Sequence, residues 1–151
     1  MSTALTIILA EDDDGHATLI RRNLERSKLR AEVVRARDGQ EAVALLQGGH
    51  PALPAGRPVI MLLDISMPKM DGLEVLQRLK SDPATRTVPI YMLTTTDNPV
   101  EIERCFQLGC SAYVSKPVVY DAFTTSIRKL VDFLEISQVP GLPERRSNVS
   151  A

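Results

Sequence analysis

The sequence predicts a doubly wound α/β domain, in which helices cover both faces of a five-stranded parallel sheet. Short, near-continuous apolar runs rich in Ile, Val and Leu are typical of strands that are buried on both faces. One-sided amphipathic helical patterns lie between the runs, and right-handed crossovers then place helices on both sides of the sheet. At 151 residues, the chain is long enough for one domain that buries roughly two thirds of its unfolded surface.

Five strands are predicted, each followed by a helix. Four of them are apolar runs, at residues 6–10, 59–63, 90–93 and 112–115. The second strand has the weakest apolar pattern and is predicted at 32–35, before the Asp38-Gly39 turn. The order along the chain is therefore βαβαβαβαβα, which makes five strands and five helices.

The helices are predicted from apolar spacing and from signals at their ends. In the fifth helix, apolar residues recur at helical spacing from Phe123 to Leu134. Asn98 is predicted to cap the fourth helix, with Pro99 at its first position. Gly109 is predicted to end the same helix.

Residues 1–136 are predicted to form the domain, and residues 137–151 a C-terminal tail. The composition of the tail is compatible with a flexible segment or with an arm that docks through Val139 and Leu142. A loop at 48–58, which contains three prolines and three glycines, connects a helix to a strand. Such loops lie at the amino edge of a parallel sheet, so we expect this one to lie opposite the carboxyl ends of the strands.

Charge and composition exclude several classes of partner. The 18 basic and 19 acidic side chains give a formal net charge of −1, which provides no broad electrostatic surface for nucleic acid or anionic membranes. No apolar stretch approaches the roughly 20 residues that span a bilayer, and the N-terminus lacks a secretory signal, so a cytoplasmic protein is expected. Cys105 and Cys110 show neither disulfide nor metal-ligand spacing and are predicted to be reduced thiols.

Polar residues follow four of the predicted strands at their carboxyl ends. Glu11 and Asp12 follow the first strand, and Asp64 follows the third. Thr94 follows the fourth strand, and Lys116 follows the fifth. Because the carboxyl ends of parallel strands share the edge where open α/β folds place their ligand crevice, we expect these side chains to converge.

The carboxylates of this group predict a metal site. Buried adjacent carboxylates repel each other, so a positive charge is expected between them. Mg²⁺ prefers oxygen ligands in octahedral geometry, and the predicted ligands are Glu11, Asp12 and Asp64. The backbone carbonyl of Ser66 is a further predicted ligand. His16, at the start of the following helix, is expected at the surface rather than as a ligand.

A metal site beside a lysine and a hydroxyl suits a phosphoryl group, because cations neutralise its oxygens and a carboxylate can attack its phosphorus. Asp64 is the predicted nucleophile, because it follows the most apolar strand and precedes a Met67-Pro68 turn. A competing hypothesis starts from residues 12–15, which resemble the DxDG motif of haloacid-dehalogenase-like phosphatases. It makes Asp12 the nucleophile of an enzyme that acts on small phosphoesters.

Four motifs, in order, resemble those of response-regulator receiver domains of the CheY type. They are ILAEDD at 8–13, LLD at 62–64 with MPKMDG at 67–72, LT at 93–94 and YVSKP at 113–117. The resemblance extends from about Leu5 to Leu134 and implies a flavodoxin-like fold with strand order 2-1-3-4-5. The acidic pair is Glu-Asp here rather than the Asp-Asp of the family pattern, which keeps the ligand chemistry with a longer arm.

The resemblance implies a single-domain response regulator of a two-component phosphorelay. Asp64 would accept a phosphoryl group from a phosphohistidine of a sensor histidine kinase, in a Mg²⁺-dependent reaction. Thr94 and Lys116 would contact the phosphoryl oxygens, and Tyr113 would be the aromatic switch. The Lys116–Pro117 peptide bond would be cis. The protein would be no enzyme toward other substrates, since it would catalyse only its own phosphorylation and dephosphorylation.

A narrower resemblance is to the small single-domain regulators that partner bacterial phytochrome kinases. It rests on the proline-rich loop before the third strand, Ser81-Asp82-Pro83, Val88-Pro89, Thr94-Thr95-Thr96 and the extended end after Phe133. It implies a phytochrome-type kinase as partner, with homodimerisation through helix four, strand five and helix five, or through the C-terminal arm, as one form of output. A remaining hypothesis is a degenerate receiver that binds partners without phosphorylation.

Overall fold

Strands and helices alternate along the chain. The computed structural model describes residues 5–48, 50–51, 53–95, 97–116, 120–136 and 138–143, and within these residues it contains five strands and five helices. The strands are β1 (Leu5–Ala10), β2 (Ala31–Ala36), β3 (Val59–Leu63), β4 (Ile90–Thr94) and β5 (Ala112–Ser115). The helices are α1 (Asp14–Arg26), α2 (Gly39–Gln47), α3 (Gly72–Ser81), α4 (Pro99–Leu108) and α5 (Tyr120–Ile136). The predicted alternation is confirmed.

The strands pair in parallel, in the order β2-β1-β3-β4-β5. This is the predicted order. Because the chain moves outward from β1 to β2 on one side and to β3 on the other, a crevice forms outside the carboxyl ends of β1 and β3. Ala10 lies opposite Leu63 in this register. The residues that follow these two strands are therefore neighbours.

Alternate residues of the central strands pack into cores on opposite faces of the sheet. On β1, Ile8 and Ala10 face the core shared with α2, α3 and α4. Ile7 and Leu9 face the core shared with α1 and α5. Because helices cover both faces, β1 and β3 are buried along their whole length, as the sequence indicates. None of the helices in the described ranges is long and apolar enough to cross a bilayer.

The helix ends carry the predicted signals. The Asn98 side chain accepts a hydrogen bond from the Val100 N–H, and Pro99 is the first residue of α4. Gly109 ends α4 with a φ of 104°, in the left-handed region that glycine adopts without strain. Asp71 caps α3, where its side chain accepts a hydrogen bond from the Glu74 N–H. These contacts satisfy backbone groups that helix ends leave without an internal partner.

The edge strand β2 extends one residue further at each end than the sequence predicts. It runs from Ala31 to Ala36 and pairs with β1 along its whole length. Most of its residues are only half-buried. The reason for the difference is that backbone hydrogen bonds set the ends of a strand, whereas the apolar pattern reports only which side chains are covered.

The two cysteines are buried and free. Burial raises the pKa of the Cys105 thiol to about 11 and also raises that of Cys110. Protonated, buried thiols are poor nucleophiles and poor metal ligands. They therefore pack as small apolar groups, as the sequence predicts.

The chain after α5 packs on the loop that precedes β3. The Gly56 N–H donates to the Leu142 carbonyl (N···O 2.9 Å), and the Leu142 N–H donates to the Arg57 carbonyl (2.8 Å). Gly141 pairs with Pro58 in an antiparallel bridge. These contacts lie at the amino edge of the sheet, opposite the crevice. Residues 137 and 144–151 of the predicted tail lie outside the described residues.

Gly39, the first residue of α2, has no room for a side chain. A Cβ at this position would lie 1.9 Å from the carbonyl oxygen of Met70, in the loop between β3 and α3. We expect Gly39→Ala to lower the free energy of unfolding by about 1–3 kcal/mol, because the loop or the helix must move. Urea unfolding followed by circular dichroism measures this change.

Gly15→Ala is the matched control. Gly15 also lies in the first turn of a helix, but a Cβ there would meet only the Asp13 side chain, at 3.2 Å. Its free energy of unfolding should stay within about 0.5 kcal/mol of the parent value. Equal stabilities of the two variants would contradict the close packing of α2 against the loop.

Candidate functional site

Carboxylates from two strand ends meet at the carboxyl edge of the sheet. Glu11 and Asp12 directly follow β1, and Asp64 directly follows β3. One carboxylate oxygen from each residue lies within 4.8 Å of the others. Glu11 and Asp64 are buried, whereas Asp12 is exposed. The structure therefore brings together the residues that the sequence predicts as metal ligands.

The ammonium of Lys116 lies against two of these carboxylates. Its Nζ forms a short ion pair with Glu11 Oε1 and lies 3.1 Å from Asp64 Oδ2. The Lys116 side chain is only 2% exposed, so these partners replace the water that would otherwise solvate its charge. The backbone N–H of Lys116 donates to the Thr94 carbonyl (N···O 2.8 Å), which fixes the residue beside the end of β4.

The cluster carries more negative than positive charge. Burial raises the pKa of the Glu11 carboxyl to about 7, and the nearby charge of Asp64 also raises it. The hydrogen bond and the positive charge of Lys116 act in the opposite direction. With all groups ionised, three carboxylates and one ammonium sum to a formal charge of −3 + 1 = −2. A divalent cation would neutralise this charge.

The donor set fits a hard divalent cation such as Mg²⁺. Such ions take oxygen ligands, and the convergent side chains of Glu11, Asp12 and Asp64 offer carboxylate oxygens. The Ser66 N–H donates to Asp64 Oδ1 (N···O 3.3 Å) and so holds one oxygen of that carboxylate in place. The role of the Ser66 carbonyl as a ligand stays a prediction.

Thr94 and Tyr113 lie on one face of the sheet, near its carboxyl edge. Thr94 is the last residue of β4 and is 1% exposed. Tyr113 is half-buried on β5 and pairs with Met92, which points to the same face as Thr94. Burial raises the pKa of the Tyr113 phenol to about 12. The predicted cis bond between Lys116 and Pro117 lies outside the described residues.

His16 lies closer to the site than the sequence predicts. Its Nδ1 is 3.3 Å from Lys116 Nζ and 3.6 Å from Glu11 Oε1. Its ring stacks on Phe123 of α5, with centroids 5.3 Å apart. The side chain is 41% exposed and forms part of the rim of the crevice. The signal in the sequence is its place in the first turn of the helix that follows the acidic pair.

Arg35 also contacts the site, although it belongs to none of the motifs. It lies on β2, opposite Leu9 of β1. Its guanidinium donates to the carbonyl oxygen of Glu11 and to the carboxylate of Asp14. The only signal in the sequence is a charged residue near the end of a strand predicted to lie beside β1.

Known proteins share both the fold and the sequence pattern. The response regulator receiver domain from Rhodospirillum rubrum superposes with a TM-score of 0.85 at 41% identity, covering 91% of this chain and 99% of that one. The response regulator Rcp1 from Synechocystis sp. is 34% identical over 110 residues, 73% of this chain and 75% of that protein. The Mn²⁺-bound form of Rcp1 superposes with a TM-score of 0.83 at 30% identity, covering 89% and 98% of the two chains.

A phosphorylated relative is also similar. The phosphorylated cyanobacterial phytochrome response regulator RcpA superposes with a TM-score of 0.83 at 33% identity, covering 91% of this chain and 99% of that one. Residues 7–128 match the family model of the response regulator receiver domain. The phosphatase hypothesis, with Asp12 as nucleophile, finds no support among these relatives. The chain therefore belongs to the family of response regulator receiver domains, the signalling modules of two-component phosphorelays.

Proposed function

We propose that Asp64 is the phosphoacceptor of this response regulator and that a sensor histidine kinase supplies the phosphoryl group. The observation that supports this proposal is the position of the Asp64 carboxylate. It is buried, it lies 3.1 Å from the Lys116 ammonium, and its oxygens are near those of Glu11 and Asp12. A nucleophile in this position has beside it the Lys116 ammonium and the carboxylates that would hold a cation, and a transferring phosphoryl group requires positive charge of this kind.

In the proposed reaction, a carboxylate oxygen of Asp64 attacks the phosphorus of a phosphohistidine. An O–P bond forms and the N–P bond breaks, and the kinase imidazole leaves with the electron pair of that bond and takes up a proton. Lys116 and Thr94 contact the transferred oxygens. The product is an acyl phosphate on Asp64, and attack by water on that phosphorus returns the free carboxylate and inorganic phosphate.

Mg²⁺ is the proposed cofactor, held by Glu11, Asp12 and Asp64, with the Ser66 carbonyl as a further ligand. When bound, the cation neutralises phosphoryl oxygens during transfer. The proposal is supported by the all-oxygen donor set and by the excess negative charge of the cluster. The structure of Rcp1 in a Mn²⁺-bound form shows that a relative of this chain takes a divalent cation.

The kinase partner is proposed to be of the phytochrome type. RcpA, which is 33% identical to this chain, is a cyanobacterial phytochrome response regulator. The similarity covers 91% of this chain and 99% of RcpA, so it extends over the whole receiver domain.

The output surface is proposed to comprise α4, β5 and α5. A phosphoryl group on Asp64 would hold Thr94 and Lys116 in one of two arrangements, and Tyr113 would turn inward when Thr94 moves. Among the described residues, the large exposed apolar side chains lie on these two helices, at Val100, Phe106, Phe133 and Ile136. Exposed apolar groups of this kind suit a protein partner, or a second copy of the chain. The arm after α5 offers a second route to a homodimer.

Asp64→Asn should abolish phosphorylation by acetyl phosphate in the presence of Mg²⁺. The wild-type protein should take up one phosphoryl group, because acetyl phosphate presents a phosphorus to the carboxylate without a kinase. The amide of the variant lacks the nucleophilic oxygen anion. Intact-protein mass spectrometry, followed by peptide mapping, measures the modification and its position.

Asp12→Asn is the matched control, because it removes a carboxylate of the same cluster and leaves Asp64 in place. It should slow phosphorylation and raise the Mg²⁺ concentration required. Steady hydrolysis of phosphoesters that depends on Asp12 would support a phosphatase instead. A wild-type protein that takes up no phosphoryl group would identify a degenerate receiver.

Mg²⁺ binding should release a proton from Glu11 below about pH 7. Because the pKa of Glu11 is raised to about 7, the carboxyl is protonated below that pH and the cation must displace its proton. Apparent Mg²⁺ affinity should fall by about tenfold per pH unit below pH 7 and level off above it. Calorimetry in two buffers of different ionisation enthalpy counts the released protons. Glu11→Gln should remove this release, whereas an unchanged release in that variant would assign it to another group.

Autophosphorylated phytochrome kinases should transfer phosphate to this protein faster than kinases with unrelated sensor domains. The physical reason is that transfer requires a surface on the receiver that fits the kinase. Radiolabelled transfer within the first minute, with Asp64→Asn as the blank, measures the rates. A faster transfer from an unrelated kinase would overturn the phytochrome assignment and leave the phosphoacceptor role of Asp64 intact.

A further inference from the structure

Arg35 holds the loop that carries the acidic pair. Its Nε and Nη2 donate to the carbonyl oxygen of Glu11, at 3.1 and 2.9 Å. Its Nη1 donates to Asp14 Oδ1 at 2.6 Å. The Arg35 side chain is only 14% exposed, so water competes little for its hydrogen bonds to the Glu11 carbonyl. One guanidinium therefore bridges β2 to both ends of the turn between β1 and α1.

The contacted carbonyl is the one that joins Glu11 to Asp12. Two N–H groups on one oxygen fix the orientation of that peptide plane more strongly than a single hydrogen bond would. The plane sets the directions in which the Glu11 and Asp12 side chains leave the backbone. The planar fork of arginine makes this paired contact, which the single ammonium of a lysine does not reproduce.

We propose that Arg35 is a positioning residue for the cation site: by fixing the Glu11–Asp12 peptide, it makes the two carboxylates converge and so raises the affinity for Mg²⁺ without contacting the ion. This inference rests on the proposed function, because it takes the carboxylate cluster as the cation site. It adds a residue from outside the recognised motifs, and outside the loop itself, to the determinants of metal affinity.

The direction in which Mg²⁺ affinity changes when Arg35 is replaced distinguishes a positioning role from a purely electrostatic one. A positive charge beside a cation site repels the incoming ion, so loss of the Arg35 charge would by itself raise Mg²⁺ affinity. Loss of the fixed peptide orientation would lower it. Arg35→Lys keeps the charge and loses the paired contact, whereas Arg35→Gln loses both. Positioning predicts weaker binding in both variants.

Arg37 provides the matched control. It lies two residues further along, and its Nη1 is 3.3 Å from the same Asp14 oxygen, but its side chain is 68% exposed. In the part of the chain that the structure describes, the side-chain hydrogen bonds to the Glu11 carbonyl come from Arg35 and not from Arg37. An exposed ion pair of this kind contributes little. Arg37→Gln therefore removes a nearby charge without releasing the peptide.

The test is Mg²⁺ calorimetry at pH 8 on the full chain, where Glu11 is largely ionised. We expect Arg35→Lys and Arg35→Gln to weaken Mg²⁺ binding by about tenfold, the range seen when groups that orient metal ligands are removed. Arg37→Gln should bind as the wild type does. In the metal-free proteins, the amide resonances of Asp12 and Asp13 should shift in the Arg35 variants and stay in place in Arg37→Gln.

Phosphorylation by acetyl phosphate provides a further readout. At saturating Mg²⁺ the Arg35 variants should regain the wild-type rate, because only the Mg²⁺ concentration required for half-maximal rate depends on positioning. Wild-type binding or tighter binding in folded Arg35 variants would overturn the inference and leave the metal site standing. Failure of the wild-type protein to bind Mg²⁺ would overturn both the inference and the proposed cofactor.

Discussion

The contact of the Lys116 ammonium with the carboxylates of Glu11 and Asp64 is the interaction on which the site depends. Pairing of Ala10 with Leu63 in a buried parallel ladder forces the two carboxylates together. Two like charges in a buried position repel each other strongly. Lys116 is buried with them and contacts both, so it offsets part of that repulsion. The same contact places a positive charge beside the proposed nucleophile before any phosphoryl group is bound.

The backbone around the cluster is fitted closely, so the positions of the carboxylates are set by main-chain packing. A Cβ at Gly72 would lie 2.3 Å from the Asp64 carbonyl oxygen. The loop from Asp64 to Gly72 also contacts the start of α2 and includes Lys69, which has a φ of 67°. A loop held in this way offers a rigid frame for the proposed chemistry, and the proposed motion on phosphorylation is then left to the output surface of α4, β5 and α5. This division matches the usual arrangement of a fixed site and a bistable surface.

Glu11 shows how one departure from the family pattern is accommodated. Its side chain is longer than the aspartate of that pattern and reaches Lys116, while its backbone carbonyl is held by Arg35. Both the carboxylate and the backbone carbonyl of Glu11 are therefore held by partners, and burial raises the pKa of its carboxyl. With the proposed cofactor present, a proton, the Lys116 ammonium and the cation would compete for the Glu11 carboxylate. In the proposed reaction, the balance among them would decide when the site is ready to accept a phosphoryl group.

The sequence by itself determined the order of strands and helices, the caps at Asn98 and Gly109, and the convergence of Asp64 with the acidic pair. These features depend on local periodicity and on the rule that parallel strands end at one edge, and both can be read along a single chain. The contacts of Arg35 and His16, and the true length of β2, were decided by the tertiary structure. They depend on which residues face each other across strands and on how far a side chain reaches, and a linear pattern contains neither. In the sequence, Arg35 and His16 cannot be told apart from other polar residues at strand ends and in first helical turns. The register of β2 against β1 brings Arg35 to the site, and the packing of α1 on α5 brings His16 there.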